Sequence, residues 1–430
     1  MKKVLLGTTA LVAAGMVAGQ ADAASGLKLG ISGYYRGAMG GEFGSNDQLA
    51  APSSSIGGGD FGRNNFSFRQ EVRVNFTGST TLDNGMTVGV LVGLNAGGNY
   101  STSSNAPARI NRAYMDLSGK FGQFRFGDAN SAYQSMCVGD PGNVTANFGL
   151  NSPNESFSNV GRYSNPSFNG ASSDGGIWLP TAISGAGTCF GLETRSTKLI
   201  YFSPTFGGFN FAVSYAPSNT RPSGGSGGNG GTNLRDTFDN FLSAGVNFNH
   251  DFGGVTVSAG ISGEWALSGK TVPTDNASNS TNKPQMYQAG LQVGFGGGWA
   301  VGASGQYVVN YINAGYTNPG FAGPVTGGAR VVAAAPSDDA YMITGGGSYT
   351  MDAISIGLDG FYDRWETQGN TTHITAWGVG VNAAYALGPG ISLEGQVAYV
   401  QSNNNISSIG FTSLDGENSV EIDIGTAVNF

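Results

Sequence analysis

Sixteen segments of this 430-residue chain alternate polar with apolar side chains, and their connections alternate between tight turns and mostly longer polar loops. The segments lie near residues 27–39, 63–82, 86–97, 109–118, 121–128, 196–205, 208–217, 237–250, 254–267, 285–295, 299–312, 340–350, 353–366, 372–387, 390–402 and 418–430. Short turns on one side and longer loops on the other are typical of membrane barrels, whereas sandwiches have no reason for that asymmetry. The sequence therefore predicts an all-β fold, a 16-stranded antiparallel transmembrane β-barrel.

The second segment shows what the two faces of such a strand carry. In NFSFRQEVRVNFTG, the polar set includes Arg69, Glu71 and Arg73, and the apolar set includes Phe66 and Phe68. A soluble sandwich would bury the apolar set and a membrane barrel would expose it, so alternation alone leaves both open. Only 11% of the residues are charged, against roughly 25% in soluble domains. The composition thus favours a large surface that faces something other than water.

The amino terminus has the features of a secretory signal peptide, predicted over residues 1–23. Lys2 and Lys3 precede an apolar run over residues 4–17, and Ala21-Asp22-Ala23 is a small-x-small cleavage site. The apolar run is shorter than the roughly 20 residues that a spanning helix needs. The barrel is then expected over residues 24–430. Its net charge of about −9, derived from −8 for the whole chain, argues against a nucleic-acid partner.

A tight hairpin over residues 109–128 leads into the 66 residues from Ala129 to Thr194, which show no sustained periodicity. Structureless connections rarely exceed about 15 residues, so this loop is expected to be functional, as an insertion that constricts a barrel pore. Both cysteines, Cys137 and Cys189, lie in it, and the signal peptide directs them to an oxidising compartment. A disulfide is the expected state, worth about 4 kcal/mol on the chain-entropy model; two buried free thiols are the alternative.

Three stretches carry a family resemblance. RAYMDLSGKFGQFRFGD, which ends at Asp128, resembles the fourth and fifth strands of Gram-negative general (non-specific) porins, of the alphaproteobacterial type. KLIYFSPTFGGFNFAVSYAP and the closing SVEIDIGTAVNF also resemble that family. The resemblance implies a homotrimeric, water-filled barrel in the Gram-negative outer membrane, exported through the periplasm, with its third loop folded into the pore. It implies passive diffusion of ions and small hydrophilic solutes, and a terminal Phe430 that resembles the signal read by the outer-membrane assembly machinery.

Charged residues suggest where such a pore would be narrowest. In a barrel, alternate residues of each strand face the interior, and we call these positions the inward parity. Six basic residues occupy such positions on neighbouring strands: Arg36, Arg69, Arg73, Arg112, Arg125 and Lys198. The long loop brings four acidic residues: Asp140, Glu155, Asp174 and Glu193. In porins a basic wall opposite an acidic loop sets a transverse field that favours polar solutes. The alternative is a solvated charged lumen without organised opposition, since a one-residue error in parity reverses the assignment.

Enzymatic chemistry is disfavoured. The two histidines, His250 and His373, are expected at opposite rims, and neither G-x-S-x-G nor H-E-x-x-H occurs. No cofactor is expected. The acidic pairs Asp338 with Asp339 and Asp359 with Asp363 offer Ca²⁺ ligands, although a solvated rim is the favoured interpretation. Two rival functions stay open, namely a substrate-selective channel and a structural or adhesin barrel closed to flow.

Several aromatic residues lie near the predicted strand ends, which in a membrane barrel are at the membrane–water interfaces. Those next to short turns and those towards the loop ends share the outward parity: Phe295, Trp299, Tyr385, Trp265, Tyr311, Tyr362 and Tyr399. Trp and Tyr are enriched at both membrane–water interfaces. The pattern therefore predicts two interfacial girdles.

Overall fold

The structure is a computed structural model, and it describes most of the predicted barrel. The described residues are 26–44, 66–97, 109–150, 187–189, 191–193, 196–218, 238–269, 283–309, 339–366, 373–404 and 415–430. The predicted signal peptide lies outside them, as do Glu155, Asp174, Tyr311 and Asp338.

All sixteen predicted strands are present, and most ends differ from the prediction by three residues or fewer. They are β1 Lys28–Gly44, β2 Phe66–Thr81, β3 Thr87–Gly97, β4 Arg109–Gly119, β5 Gly122–Asp128, β6 Thr197–Phe202, β7 Phe209–Ser218, β8 Phe238–Asp251, β9 Thr256–Gly269, β10 Gln285–Phe295, β11 Trp299–Val309, β12 Asp339–Met351, β13 Ile354–Glu366, β14 His373–Gly388, β15 Ile391–Asn404 and β16 Asp415–Asn429. The alternation of polar and apolar residues was enough to locate the strands, because each strand has one polar and one apolar face.

The strands close into one antiparallel barrel in which each strand pairs with its neighbours in sequence. Closure joins β1 to β16, with Tyr35 opposite Val428. The terminal residue takes part, because Phe430 and Gly33 exchange two backbone hydrogen bonds of 2.8 and 3.0 Å. Closure leaves no unpaired sheet edge, which is what a sheet surrounded by lipid requires.

The two faces of the barrel differ as the parity predicted. Large apolar side chains of the outer face are exposed: Leu29 is 79% exposed and Phe68 is 80% exposed. The opposite parity carries buried polar groups, among them Glu71 at 1% and Glu264 at 0%. An apolar outer face is costly in water and favourable in a bilayer, so this arrangement fits a membrane barrel and excludes the soluble sandwich.

Short turns and aromatic side chains mark one end of the barrel. Leu82 and Met86 close the first turn through a 2.8 Å backbone hydrogen bond. Gly85 has φ of +80°, a left-handed conformation that glycine adopts without steric cost. Trp299 and Tyr385 lie next to two other turns and are 56% and 48% exposed. They lie on the outer face, as the girdle prediction expected.

One short helix, α1, extends over Ala132–Met136 in the stretch that follows β5. Ser131 caps it by accepting a hydrogen bond from the backbone N–H of Gln134. A 3₁₀ turn over Gly187–Cys189 belongs to the same long connection. Among the described residues, no helix is both long enough and apolar enough to span a membrane.

Candidate functional site

Arginines on β1 and β2 form a first cluster on the inner face. The guanidinium groups of Arg36 and Arg73 lie 4.1 and 5.1 Å from the ring centroid of Tyr34. Glu71 accepts a 2.6 Å hydrogen bond from the Tyr34 hydroxyl and lies 4.0 and 3.4 Å from the two guanidinium groups. Register explains the cluster, because Tyr34 pairs with Arg73 and Arg36 pairs with Glu71 across the two strands.

Arg125 on β5 forms a second cluster with β4. Its guanidinium binds Asp116 through two hydrogen bonds of 2.7 and 3.0 Å. It also lies 3.9 Å from the ring centroid of Tyr114. A two-pronged ion pair and a stacked ring hold the charge in one orientation, because the planar guanidinium fits both partners.

Arg112 lies on β4 between these clusters. Asn111 is an extra residue in the pairing of β3 with β4, so Arg112 lies opposite Gly93 and keeps the inward parity. Within the described part of the chain, its Nε has no hydrogen-bond partner. We refer to Arg36, Arg73, Arg112 and Arg125 as the arginine wall. Arg69 pairs with Ala38 through the backbone of β2, and its side chain lies outside the described residues.

The sixth predicted basic residue, Lys198, is placed differently from the expectation. It and Glu193, a predicted loop acid, form a fully buried ion pair with a 2.8 Å separation. The Lys198 ammonium also donates to the backbone oxygen of Ala129. Lys198 and Glu193 were expected to face each other as separate charges, whereas they join the two ends of the long connection in direct contact.

The other described loop acid, Asp140, lies on the far side of the barrel from the arginine wall. Its carboxylate accepts a 3.0 Å hydrogen bond from the backbone N–H of Gly142. A Cβ on Gly346 of β12 would come within 2.5 Å of it. Asp140 therefore lies against the inner face of β12.

Residues 129–150, which we call the loop segment, follow the inner face from strand to strand. Side chains of β7, β8, β10, β14, β15 and β13 bond its backbone in turn: Ser214 with Ala132, Ser243 with Tyr133, Gln288 with Val138, Asn382 with Val144, Glu394 with Ala146 and Asn147, and Asp359 with Leu150. These distances lie between 2.8 and 3.3 Å. We call the inner faces of β7 to β15 the docking wall, because they satisfy the backbone polar groups of the loop segment.

Phe148 brings the loop segment back to β1. Its side chain is fully buried and packs against Ala38. A Cβ on Gly425 of β16 would lie 2.8 Å from the Phe148 ring. Small residues on two adjacent strands therefore make room for one large ring beside the arginine wall.

The predicted disulfide is present. Cys137 and Cys189 are bonded, with their Cα atoms 5.5 Å apart. Next to it, the Tyr133 hydroxyl donates to the backbone oxygen of Thr188 over 3.2 Å and accepts from the Gln306 amide over 2.8 Å. Burial raises the pKa of the Tyr133 phenol well above its ordinary value, so it stays neutral and able to donate.

Asp359 and Asp363 correct the expectation of a solvated acidic rim. Each is 1% exposed on the inner face of β13. Asp359 accepts a 2.9 Å hydrogen bond from the backbone N–H of Leu150, so it anchors the loop segment. Among the described residues there is no group of three or more His, Cys, Asp or Glu side chains that would suit a metal ion.

The docking wall was not predicted from the sequence. The residues that bind the loop segment are neutral amides and hydroxyls and two carboxylates, with glycines beside them, and they are spread over about 180 residues of sequence. Inward parity was the one available signal, and it applied equally to every polar strand residue. Only the course of the loop segment distinguishes Gln288, Asn382 and Glu394 from the others.

A family model described as Gram-negative porin matches residues 7–405 of the chain. No curated protein matches the chain at a significant level. Among solved structures, the anion-selective porin from Comamonas acidovorans aligns with a TM-score of 0.51 and 15% identity, over 94% of this chain and 100% of its own.

Two further solved structures resemble the barrel. The trimer form of in-vitro folded OmpT, an outer membrane protein of Vibrio cholerae, has a TM-score of 0.53 and 11% identity over 95% of this chain and 100% of its own. The outer membrane channel DcaP of Acinetobacter baumannii has a TM-score of 0.53 and 14% identity over 94% and 98%. At these identities the likeness concerns the fold, whereas the family match covers nearly the whole sequence. The closed 16-stranded barrel and this match agree, and the chain belongs to the Gram-negative porin family.

Proposed function

We propose that this outer-membrane porin is a general diffusion channel, narrowed between the loop segment and the arginine wall. Ions and small hydrophilic solutes cross it passively. The observation that carries the proposal is the course of the loop segment, whose backbone is bonded by inward-facing side chains from β7 to β15. A polypeptide on one side of the interior leaves an opening that is bounded on the other side by arginines.

The charges support a polar solute class. Arg36, Arg73 and Arg125 occupy β1, β2 and β5, while Asp140 lies across the barrel, against β12. Opposed charges across a narrow aqueous opening order water and penalise apolar solutes, which cannot replace that order. Glu155 and Asp174, the two other acids predicted from the long loop, lie outside the described residues, and their place at the constriction stays a prediction.

Single-channel recording in planar bilayers tests the proposal. The folded protein should show stepwise conductance, and vesicles that contain it should admit small neutral sugars faster than large ones. A substrate-selective channel would instead saturate with one solute. Absence of steps from properly folded protein would refute the diffusion channel and favour a structural barrel.

The channel needs no cofactor and catalyses no reaction in this proposal. The family and the fold point to a channel, and the described residues hold no metal-binding group. Removal of divalent cations with a chelator should therefore leave conductance unchanged. A loss of conductance that Ca²⁺ alone restores would contradict this part.

A homotrimer is the proposed assembly, and the outer aromatic residues support it. Exposed or half-exposed Tyr and Trp side chains lie towards the loop ends of β7 to β15: Tyr215, Trp265, Tyr287, Tyr307, Tyr341, Tyr362, Trp377 and Tyr399. The corresponding outer positions described on β1, β2 and β4 carry Met39, Phe43, Phe66, Phe68 and Ile110. An apolar sector without an interfacial girdle fits contact with another barrel better than contact with lipid headgroups. Unheated samples should migrate as trimers in SDS and boiled samples as monomers; equal mobility would argue against it.

Export and assembly complete the proposal. Residues 1–23 would direct the chain to the periplasm, and mass analysis of the mature protein should find Ala24 at its amino terminus. Phe430 would be the residue read by the assembly machinery; its backbone pairs with Gly33 while its ring is 61% exposed. Phe430→Ala should lower the yield of folded barrel in cells more than it lowers refolding in detergent. An equal loss in both would indicate a purely structural role.

A further inference from the structure

We propose that two pairs of residues on the docking wall, Gln288 with Gly290 and Asn382 with Gly357, are clamps that set the width of the channel. In each pair an amide side chain binds a loop-segment carbonyl, and a glycine leaves room for that same carbonyl. The inference rests on the proposed function, because it concerns the position of the loop segment that narrows the pore.

The first clamp lies on β10. The Gln288 amide is 2% exposed and donates to the backbone oxygen of Val138 over 3.0 Å. Gly290 follows two residues later on the same face, and a Cβ there would lie 1.8 Å from that oxygen. Contacts below 3.0 Å are not tolerated between such atoms, so either the carbonyl or the strand would have to move.

The second clamp spans β13 and β14. Asn382 is 1% exposed, donates to the backbone oxygen of Gly142 over 3.0 Å and accepts from the backbone N–H of Val144 over 2.8 Å. Gly357 is its direct partner in the strand pairing. A Cβ at Gly357 would lie 1.9 Å from the Gly142 oxygen.

The two clamps share a physical logic. A buried peptide carbonyl needs a donor, and each amide supplies one from the barrel wall. The bond is possible only if the loop backbone approaches the sheet closely, which a side chain at the neighbouring inward position would prevent. Glycine inside a strand usually weakens it, and close approach of another backbone is a recognised reason for its presence. At Gly290 and Gly357 the approaching backbone belongs to the chain itself.

The two halves of a clamp should have different effects when they are changed. A methyl group at either glycine displaces the loop segment from the wall towards the arginine wall, which narrows the opening. Loss of either amide leaves the carbonyl without its donor, so the loop segment moves more freely while the space for it remains. Neither change alters the charge of the channel.

Single-channel conductance of Gly290→Ala and Gly357→Ala tests the first half. Both should conduct measurably less than wild type, with an unchanged reversal potential under a salt gradient. Gly294→Ala and Gly89→Ala are matched controls at inward positions of β10 and β3, where an added Cβ would meet nothing closer than 3.7 Å. Wild-type conductance in both clamp variants, or an equal loss in the controls, would overturn the proposal.

The amide halves keep the proposal testable if the glycine variants fail to fold. Asn382→Ala and Gln288→Ala should increase open-channel current noise and speed amide exchange at residues 138–144. Quiet channels with wild-type exchange would overturn the role of the amides as positioning residues. The result is separable from the test of the proposed function, since a silent wild type refutes that function, whereas a conducting wild type with unaltered variants refutes only the clamps.

Discussion

The arginine wall and the docking wall use inward-facing polar residues in opposite ways. On β1, β2, β4 and β5 charged groups bind one another, as in the 2.7 Å pair between Arg125 of β5 and Asp116 of β4. On β7 to β15 the polar groups bind the backbone of the loop segment, as when one oxygen of Glu394 accepts hydrogen bonds from the backbone N–H groups of Ala146 and Asn147. Inward-facing residues thus provide charge at the arginine wall and hydrogen-bond partners for the loop segment at the docking wall.

The difference shows that inward parity specifies contact with the interior but not the partner found there. A charged side chain whose ion-pair partner lies on the same or a neighbouring strand stays beside the opening. It contributes to the electrostatic field there. A neutral amide or hydroxyl contributes little field but satisfies buried peptide groups at low desolvation cost. In the proposed channel, one wall therefore determines selectivity and the other determines width.

Lys198 shares features of both walls, and replacing it should have the largest effect on local stability. It belongs by parity to the basic strands, yet it binds Glu193 and the backbone oxygen of Ala129. Removing one partner of a buried pair costs about 3–5 kcal/mol, because the other charge is left unpaired. In Lys198→Met we expect a loss of this order in local stability, measured by amide exchange of residues 129–136, with little change in reversal potential.

The double variant Lys198→Met with Glu193→Gln is the matched control. It removes both charges, so exchange should return most of the way to the wild-type rate. A large shift of reversal potential in Lys198→Met, without faster exchange, would instead return Lys198 to the arginine wall.

Removing the disulfide should have the next largest effect on local stability, and it tests how the loop segment is held beside the docking wall. Cys137 and Cys189 lie 52 residues apart and hold α1 close to the 3₁₀ turn. Replacing both with Ser should lower local stability by about 2–4 kcal/mol, because the open chain gains conformational freedom. Added reductant should speed amide exchange near α1 in wild type and have no effect in the double variant. Equal effects of reductant on both proteins would show that the bond does not stabilise the segment.

Neutralising the arginine wall should have the smallest effect in energy and the clearest effect on permeation. A charge about 7 Å from a permeating ion in water contributes about 0.6 kcal/mol, or roughly threefold in relative permeability. Arg73→Gln combined with Arg125→Gln should raise conductance and shift the reversal potential towards cations. Lys120→Gln, at the exposed turn between β4 and β5, removes a like charge outside the barrel and should not.

An unchanged reversal potential in the arginine double variant would remove the arginine wall from the constriction. If these side chains faced lipid instead, neutral replacement would stabilise the barrel by about 2–4 kcal/mol per arginine near the midplane. Measuring the unfolding midpoint on the same protein separates the two results.

Much of the barrel could be predicted from local pattern. Apolar residues such as Leu29 and Phe68 alternate with polar residues along their strands, and this alternation alone indicates which face of each strand is on the outside of the barrel. The disulfide was also predictable, because two cysteines in one loop of an exported chain have one obvious partner each. The inward parity of Arg36, Arg73 and Arg125 followed from the same alternation.

The partners of the inward residues were not predictable in the same way. Asp359 was interpreted as a rim acid, but strand register places it where the backbone of Leu150 arrives. Lys198 and Glu193 were assigned to facing sides because the sequence gives no path for the connection between them. Both errors concern where the long connection goes, which depends on contacts far apart in sequence.

The amino-acid sequence by itself determined the strands, their two faces, the antiparallel order and the family, because alternation and turn chemistry act over a few residues. Only the tertiary structure decided what each inward side chain binds. The loop segment has no periodicity of its own, and its position results from hydrogen bonds and close contacts with strands up to about 250 residues away, such as Glu394 with Asn147. Gly290 and Gly357 show the same division: the strand pattern tolerates them, and the backbone packed against them explains why a larger side chain would not fit.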